Sequence, residues 1–255
     1  MAEERKHGMN HKILLFEELS LNSHPALQAQ LYDGWLLRFA NGYTNRANSV
    51  NPLYPSSLPP EKKLAFCENI YASQGLPPCF KLTEASPSGL DELLSARGYE
   101  VVTLTTVMGT RLRYFPTGDC VLTSYADDAW LDSYFAFTRC AGSAKMMTMK
   151  QILQNIQSPM LCGRIVKNGV SVACGMCVTE RGYAGLLNIV VDAPQRGKGY
   201  GREICQSLLA AAGRLGAHTA YLQVVSNNVA AVKLYKKLGF EDAYRYWYRV
   251  KKNAV

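Results

Sequence analysis

Apolar residues in the second half of the chain recur with two distinct periods. Ile204, Cys205, Leu208, Leu209, Ala212 and Leu215 fall on one face at helical spacing, which predicts an amphipathic helix over Arg202–Leu215 with Gly216 as its stop. Thr219–Val225 is a run of strand formers, and Asn228 then opens a second helix that ends near Leu238, with Gly239 just beyond. From Ala243 to Val250 aromatic and polar residues alternate, as in a half-buried strand. Upstream, Met160–Lys167 and Val170–Glu180 flank Asn168-Gly169, which reads as a tight hairpin turn, and Asp127–Phe137 and Met146–Ile156 read as two helices before it. A further helix is expected around Lys12–Ser20, behind a frayed lead-in. A strand ending at Val191, the helix and the strand 219–225 form a βαβ unit, whose crossover should be right-handed. The fold class is α/β (α+β), with mixed twisted sheets and flanking helices.

Residues 190–202 read VVDAPQRGKGYGR. Gly197, Gly199 and Gly201 have no Cβ, so the backbone there can curl and its N–H groups can converge. The following helix turns unpaired N–H groups and its positive end to the same point. With Arg196 and Lys198 beside it, this is a socket for a phosphate or pyrophosphate. A P-loop needs Ser or Thr after Gly-Lys, and Lys198 is followed by Gly199. A dinucleotide fingerprint needs G-x-G-x-x-G and an acidic residue about 20 positions on, and neither is present. A second block, SNNVAAVKLYKKLGF at 226–240, follows after one helix and one strand.

Together the two blocks resemble the GNAT superfamily of acyl-CoA-dependent N-acetyltransferases over about Cys120–Val250. Arg196, Gly199 and Gly201 take the fixed positions of its R-x-x-G-x-G loop, and Asn228, Ala231, Leu234, Tyr235, Gly239 and Phe240 those of its second motif. The resemblance implies acetyl-CoA as acyl donor, with no metal, and a primary amine of a small molecule as acceptor, attacked directly in a ternary complex. It implies that Arg196, Gly197, Lys198, Gly199, Tyr200 and Gly201 hold the pyrophosphate, and that pantetheine pairs with Ile189, Val190 and Val191. The thioester carbonyl would take a backbone N–H between Asn188 and Val190. Asn228 would bond the pantetheine arm, a role compatible with capping its own helix. Tyr235 stands where the family has its general acid; the alternative is a core tyrosine on a helix face. The ribosomal-protein acetyltransferases of this superfamily carry a Glu twelve residues before that tyrosine; here Gln223 stands there and cannot accept a proton. Glu180 and Asp192 are other carboxylates to consider, against the simpler reading of solvated turn residues, and the base is unassigned.

The first half repeats the second. A helix, a Gly stop, a strand, a second helix and a Gly-aromatic end recur, with Gly75 and Gly98 each 141 residues before Gly216 and Gly239. Pro55, Ser56, Leu58 and Pro60 stand where Arg196, Gly197, Gly199 and Gly201 stand, Pro87 replaces Asn228, and Leu94 replaces Tyr235. Proline has no N–H to offer an anion, so this copy should not bind CoA. The resemblance is thus to tandem GNAT proteins with an incomplete N-terminal copy, residues 1–116 being degenerate and 117–255 catalytic. The segment WLLRFANGYTNRANSVNP resembles a motif of a bacterial group among them. Its polar residues are either a wall of the acceptor pocket, with Arg38 or Arg46 meeting a substrate carboxylate, or a set of turn and interdomain hydrogen bonds.

Composition narrows the setting. The 255 residues, 48% of them hydrophobic, can bury two modest cores. No stretch approaches the roughly 18–20 apolar residues of a membrane span, and the N-terminus lacks a signal-peptide core. Eight cysteines without paired spacing fit a reducing cytoplasm, and Cys174 and Cys177, a C-x-x-C inside a strand, read as core rather than as half a zinc site. The net charge of +8 suits an anionic cofactor, but the cations are dispersed, which argues against nucleic acid. A monomer or homodimer is expected. The Met-rich run Lys145–Met149 is either helix packing or an adaptable acceptor mouth. Beside the enzyme stand two other functions: a non-catalytic acyl-CoA-binding or regulatory protein, and a basic nucleic-acid-binding module.

Overall fold

The computed structural model describes residues 2–251, with side chains from residue 8 on. It forms two compact units. One comprises the chain up to Thr106 together with the segment from Tyr244; the other is Val107–Ala243.

In the first unit, α1 (Ala2–Ser23) precedes the hairpin β1 (Gln28–Tyr32) and β2 (Trp35–Phe39), then β3 (Val50–Pro52), α2 (Pro60–Ser73), β4 (Cys79–Thr83), α3 (Leu90–Ala96) and the start of β5 (Tyr99–Arg111). The second unit holds the end of β5, β6 (Val121–Thr123), α4 (Asp128–Thr138), α5 (Ser143–Gln154), β7 (Met160–Lys167), β8 (Val170–Glu180), β9 (Tyr183–Val191), α6 (Tyr200–Arg214), β10 (Thr219–Val225) and α7 (Val229–Lys237). The last strand, β11 (Glu241–Lys251), returns to the first unit, where it lies antiparallel to β4 with Tyr246 opposite Thr83. Strand order is β1-β2-β3-β4-β11-β5 in the first unit and β5-β10-β9-β8-β7-β6 in the second. Compactness therefore divides the chain at 106/107 and not at the expected 116/117, and the tail from Tyr244 groups with the first unit, not with 117–243. The alternating tail buries Tyr244, Tyr246 and Tyr248, while Val107 and Met108 at the end of β5 are buried within the second unit.

The expected elements of the second unit form with small shifts at their ends. Asn168 (φ +52°) and Gly169 (φ +77°) make the left-handed hairpin turn between β7 and β8. Ile204, Cys205, Leu208 and Ala212 on α6 pack with Ala184, Leu186, Ala220 and Leu222 of the sheet. Cys174 and Cys177 are fully buried, and burial pushes both thiols up to about 12, as inert core groups. Met149 is buried and Met147 exposed. α1 begins ten residues earlier than Lys12, at Ala2, and Met1 lies outside the described residues. Among the described residues no helix is long and apolar enough to cross a membrane.

The first unit is built from matching parts. α2, β4 and α3 occupy the repeat positions of α6, β10 and α7, and β3 and β4 are parallel, like β9 and β10. Phe80 and Leu82 face Leu64, Cys67 and Tyr71 of α2 and Leu90 and Leu94 of α3. Lys81, between them, points to the other face. Its amine lies 2.5 Å from Glu17 of α1, whose second oxygen accepts from the Tyr244 hydroxyl at 2.7 Å.

Repeat alignment places the loop 55–58 opposite Arg196–Gly199, and here an internal carboxylate fills it. Asp33 and Gly34 (φ +42° and +81°) form the left-handed β1–β2 turn. The Asp33 carboxylate accepts from the N–H of Ser57 at 3.0 Å, the N–H of Leu58 at 2.8 Å and the Ser57 hydroxyl at 2.8 Å. Lys63 lies 3.3 Å from the same carboxylate. The prolines remove some donors from this loop, and Asp33 engages the Ser57 and Leu58 amides.

In the polar segment 35–52, Asn48 and Arg38 make hydrogen bonds to turn and loop backbone. Asn48 accepts from the N–H groups of Ala40 and Gly42 and donates to the Thr44 carbonyl. Arg38 is 3% exposed and donates to the carbonyls of Leu21, His24 and Arg46. Its guanidinium is thus committed to backbone carbonyls inside the first unit. Arg46 is half-buried and gives its carbonyl to Arg38.

Glu17→Ala leaves the Lys81 ammonium buried without its counter-charge and should cost about 3–5 kcal/mol, read from the urea midpoint, whereas Glu17→Leu with Lys81→Met should restore most of that loss. Asp33 supplies a pH signature. Its carboxyl is held below its ordinary 3.8, chiefly by the Ser57 and Leu58 N–H groups. The carboxylate therefore stabilises the fold fully above that pH, and the contribution fades as pH falls through the depressed value. Urea titrations of wild type and Asp33→Asn should differ most at pH 7, and the difference should begin to shrink below about pH 4 and keep shrinking toward the depressed value.

Candidate functional site

The site grows from two parallel strands that separate. β9 pairs with β10 from Tyr183 opposite Thr219 to Leu186 opposite Leu222, and the pairing stops there, although β9 runs on to Val191 and β10 to Val225. The edge of β9 beyond Leu186 is therefore open on that side. On its other side β9 carries a bulge against β8. Met176 faces Leu187 and Cys174 faces Val190, so Gly175 alone faces both Asn188 and Ile189. Asn188 is left-handed, at φ +53°. A Cβ on Gly175 would lie 2.5 Å from Cδ1 of Ile189, so a larger residue here would require the Ile189 side chain to move.

Past Val191 the chain turns into the glycine loop. Gly197 (φ +80°) and Gly199 (φ +89°) adopt the left-handed region, and α6 starts at Tyr200. Gly201 differs from the expectation. It is an ordinary helical residue whose absent Cβ allows the Leu234 side chain to approach, since an added Cβ would sit 3.2 Å from it. The first helical bonds are those from Arg202 and Glu203 to the Gly199 carbonyl. Among the described residues the N–H groups of Gly197, Lys198, Gly199, Tyr200 and Gly201 have no acceptor in the protein. Five donors, two cations and a helix N-terminus meet there. Arg196 and Lys198 are exposed; Arg196 reaches back to the Val191 carbonyl at 3.4 Å, and Lys198 to the Gln195 side chain at 2.8 Å.

A cleft of about 500 Å³ joins these features. Ile189, Val190, Val191, Arg196, Gly197, Gly199, Tyr200, Gly201, Asn228 and Tyr235 all line it, with Gln195, Arg202, Ala230, Ala231 and Leu234, which sequence reasoning did not single out as site residues. Leu234 and Ala231 lie one and four residues before Tyr235 in the second motif, and that motif could have marked them. Lys198 is the one expected loop residue outside the lining. Asn228 caps α7, accepting from the Ala231 N–H at 3.2 Å. Tyr235 is 8% exposed and packs edge-on against Phe240, with ring centroids 6.1 Å apart. Burial, with Cys205 nearby, raises its hydroxyl well above the usual phenol range. No carboxylate or imidazole lines the cleft. Glu180 faces Tyr183 at the far end of β9, roughly 20 Å of strand from Ile189, and pairs there with Arg181 at 3.3 Å. It is a turn carboxylate and not a base for this site. Among the described residues no cluster of His, Cys, Asp or Glu is arranged to hold a metal.

The first unit has its own concavity of about 370 Å³, between α1 and the segments 52–55 and 83–87. It is largely apolar and Pro55 and Pro87 line it, so it has no counterpart of the open N–H cluster.

Comparison with known proteins agrees with this geometry. Residues 12–249 match the family described as "Probable histone acetyltransferase Rv0428c C-terminal". The chain is 33% identical over 244 residues to the uncharacterized N-acetyltransferase YobR of Bacillus subtilis, covering 92% of this chain and 97% of that one. It is 32% identical over 80 residues to the ribosomal protein bS18-alanine N-acetyltransferase of Escherichia coli, covering 31% of this chain and 54% of that one. A GCN5-related N-acetyltransferase from Kribbella flavida has the same fold, with a TM-score of 0.69 at 14% identity over 94% of this chain and 96% of that one. The chain belongs to the Rv0428c C-terminal family and is a GNAT-type acetyltransferase.

Proposed function

We propose that the second unit moves an acetyl group from acetyl-CoA to the primary amine of a small acceptor, by direct attack within a ternary complex. One observation carries this reading: the glycine loop that bears the uncommitted N–H groups and the open edge of β9 line the same cleft. The N–H cluster, Arg196 and Lys198 suit a diphosphate. The β9 edge beyond Leu186 suits the amide-bearing pantetheine arm, which would pair there as a further strand, with Asn228 bonding the same arm. An N–H freed at the Asn188–Val190 bulge would polarise the thioester carbonyl as negative charge develops on its oxygen. The amine's lone pair forms the C–N bond, the C–S bond breaks, Tyr235 gives its proton to the departing sulfur, and the proton shed by the nitrogen passes to water, from which the phenol is reprotonated. Burial keeps the phenol protonated at neutral pH, so it holds the proton that the thiolate takes.

The first unit is, in this reading, a degenerate copy that binds no CoA, since Asp33 engages the equivalent loop amides. All eight cysteines are free thiols, which suits a reducing cytoplasm. The acceptor proposed is a small amine and not a protein N-terminus. Gln223 stands where the terminal acetyltransferases have their Glu, and no carboxylate lines the cleft. That same lack favours one second reading, an acyl-CoA-binding protein without turnover. The two separate on release of free thiol from acetyl-CoA in the presence of a broad mixture of metabolite amines, with mass spectrometry to find which amine gains an acetyl group. Thiol release above the protein-free control is expected; binding of acetyl-CoA without it would leave the second reading. Tyr235→Phe should lower turnover roughly 10²-fold or more while calorimetric affinity for CoA stays within a few-fold. Undiminished turnover in that variant would remove Tyr235 from the mechanism.

A further inference from the structure

Trp130 has no place in the mechanism above. It lies in the first turn of α4, where its own N–H bonds the Asp127 cap at 2.7 Å, and its side chain is 1% exposed. Its indole N–H does not serve the helix. It crosses to the sheet and donates to the carbonyl of Gly175 at 2.9 Å. Gly175 is the residue of β8 that faces two residues of β9 at once. A bulge disturbs the ladder where it sits, and the backbone groups opposite the extra residue need other partners. On the β9 side a second tie exists, from the Asn188 amide to the Met176 sulfur at 3.2 Å.

We infer that Trp130 is a positioning residue for acetyl transfer: by binding the Gly175 carbonyl it holds the β9 bulge open and keeps an N–H of residues 188–190 free for the thioester carbonyl. Without the indole, the buried Gly175 carbonyl must find another donor, and the bulged strand β9 is one of the two strands that flank it, Gly163 of β7 facing it on the other side. Taking an N–H of β9 draws that strand toward regular register with β8, and a step of one residue reverses the side chains beyond it. The N–H that the thioester needs would then be spent inside the sheet. Trp130 also links α4 to the reacting end of the cleft without touching the ligand.

This inference rests on the proposed function, and its test reads the thioester carbonyl directly, so no acceptor is needed. The probe is acetyl-CoA labelled with ¹³C at the carbonyl, observed by infrared difference spectroscopy. In the wild-type chain the carbonyl stretch should move to lower frequency than in solution. In Trp130→Phe that displacement should be lost, while affinity for CoA stays within about twofold of wild type, because the phosphate loop is untouched. Tyr134→Leu removes the ring stacked on Trp130 at 5.2 Å but not the donor, and should keep the displacement. An undiminished displacement in Trp130→Phe, or an equal loss in Tyr134→Leu, overturns the inference. Should Trp130→Phe not fold, the wild-type indole N–H resonance decides: it must respond to acetyl-CoA and not to CoA. Failure of the wild-type chain to bind acetyl-CoA at all would defeat the proposed function itself, an outcome distinct from binding with an unmoved carbonyl.

Discussion

A strand inside a sheet is normally paired along both edges, because buried amides and carbonyls without partners are costly. β9 breaks that rule after Leu186, where β10 leaves it. The departure leaves a strip of main chain uncommitted and opens the space that α6 and α7 then flank. The glycine loop continues directly from the end of the strip, so the donors at 197–201 stand in line with it. The bulge at Asn188 alters the direction of the strand where it becomes single-edged. Each of these features would be a local defect in isolation; together they form a surface of unpaired groups that the proposed acetyl-CoA would complete.

The first unit shows what the same parts become when that demand is met internally. Its strands β3 and β4 are parallel, and its helices hold their repeat positions, yet Asp33 fills the loop with a carboxylate supplied by the neighbouring hairpin. Lys63 is buried beside it, with its amine over the Trp35 ring at 4.1 Å and bonded to the Asp33 carbonyl and the Ser56 hydroxyl. On the opposite face Glu17, Lys81 and Tyr244 form a dry polar core. These closed networks leave this unit suited to a structural part.

Features governed by neighbours in the chain were legible beforehand. The hydrophobic period of α6, the Asn168-Gly169 turn and the cap at Asn228 each depend on a few consecutive residues, and each forms close to where it was expected. The motif residues of the cleft converge as their order implied. Features that depend on distant partners were not legible. Arg38 looks like a ligand-facing cation in sequence, and only the arrival of the Leu21, His24 and Arg46 carbonyls makes it internal. Gly201 shares a glycine repeat with Gly197 and Gly199, but its reason for being glycine lies on another helix. Asp33-Gly34 marks a hairpin turn in sequence, but neither the loop that the Asp33 carboxylate fills nor the carbonyl that the Trp130 indole reaches has a local mark. The alternation of the last strand was visible, whereas the unit it would join was not.

That last strand has a kinetic meaning. β4 receives β11 as a neighbour, and β11 is made after every other element of the fold. During synthesis the N-terminal sheet must wait with one edge incomplete while more than half of the polypeptide is still to emerge. Its apolar edge is exposed through that interval, a period of heightened risk for association with other nascent chains. The partner of β4 thus comes from the far end of the fold, and the first unit is complete only once β11 has been made.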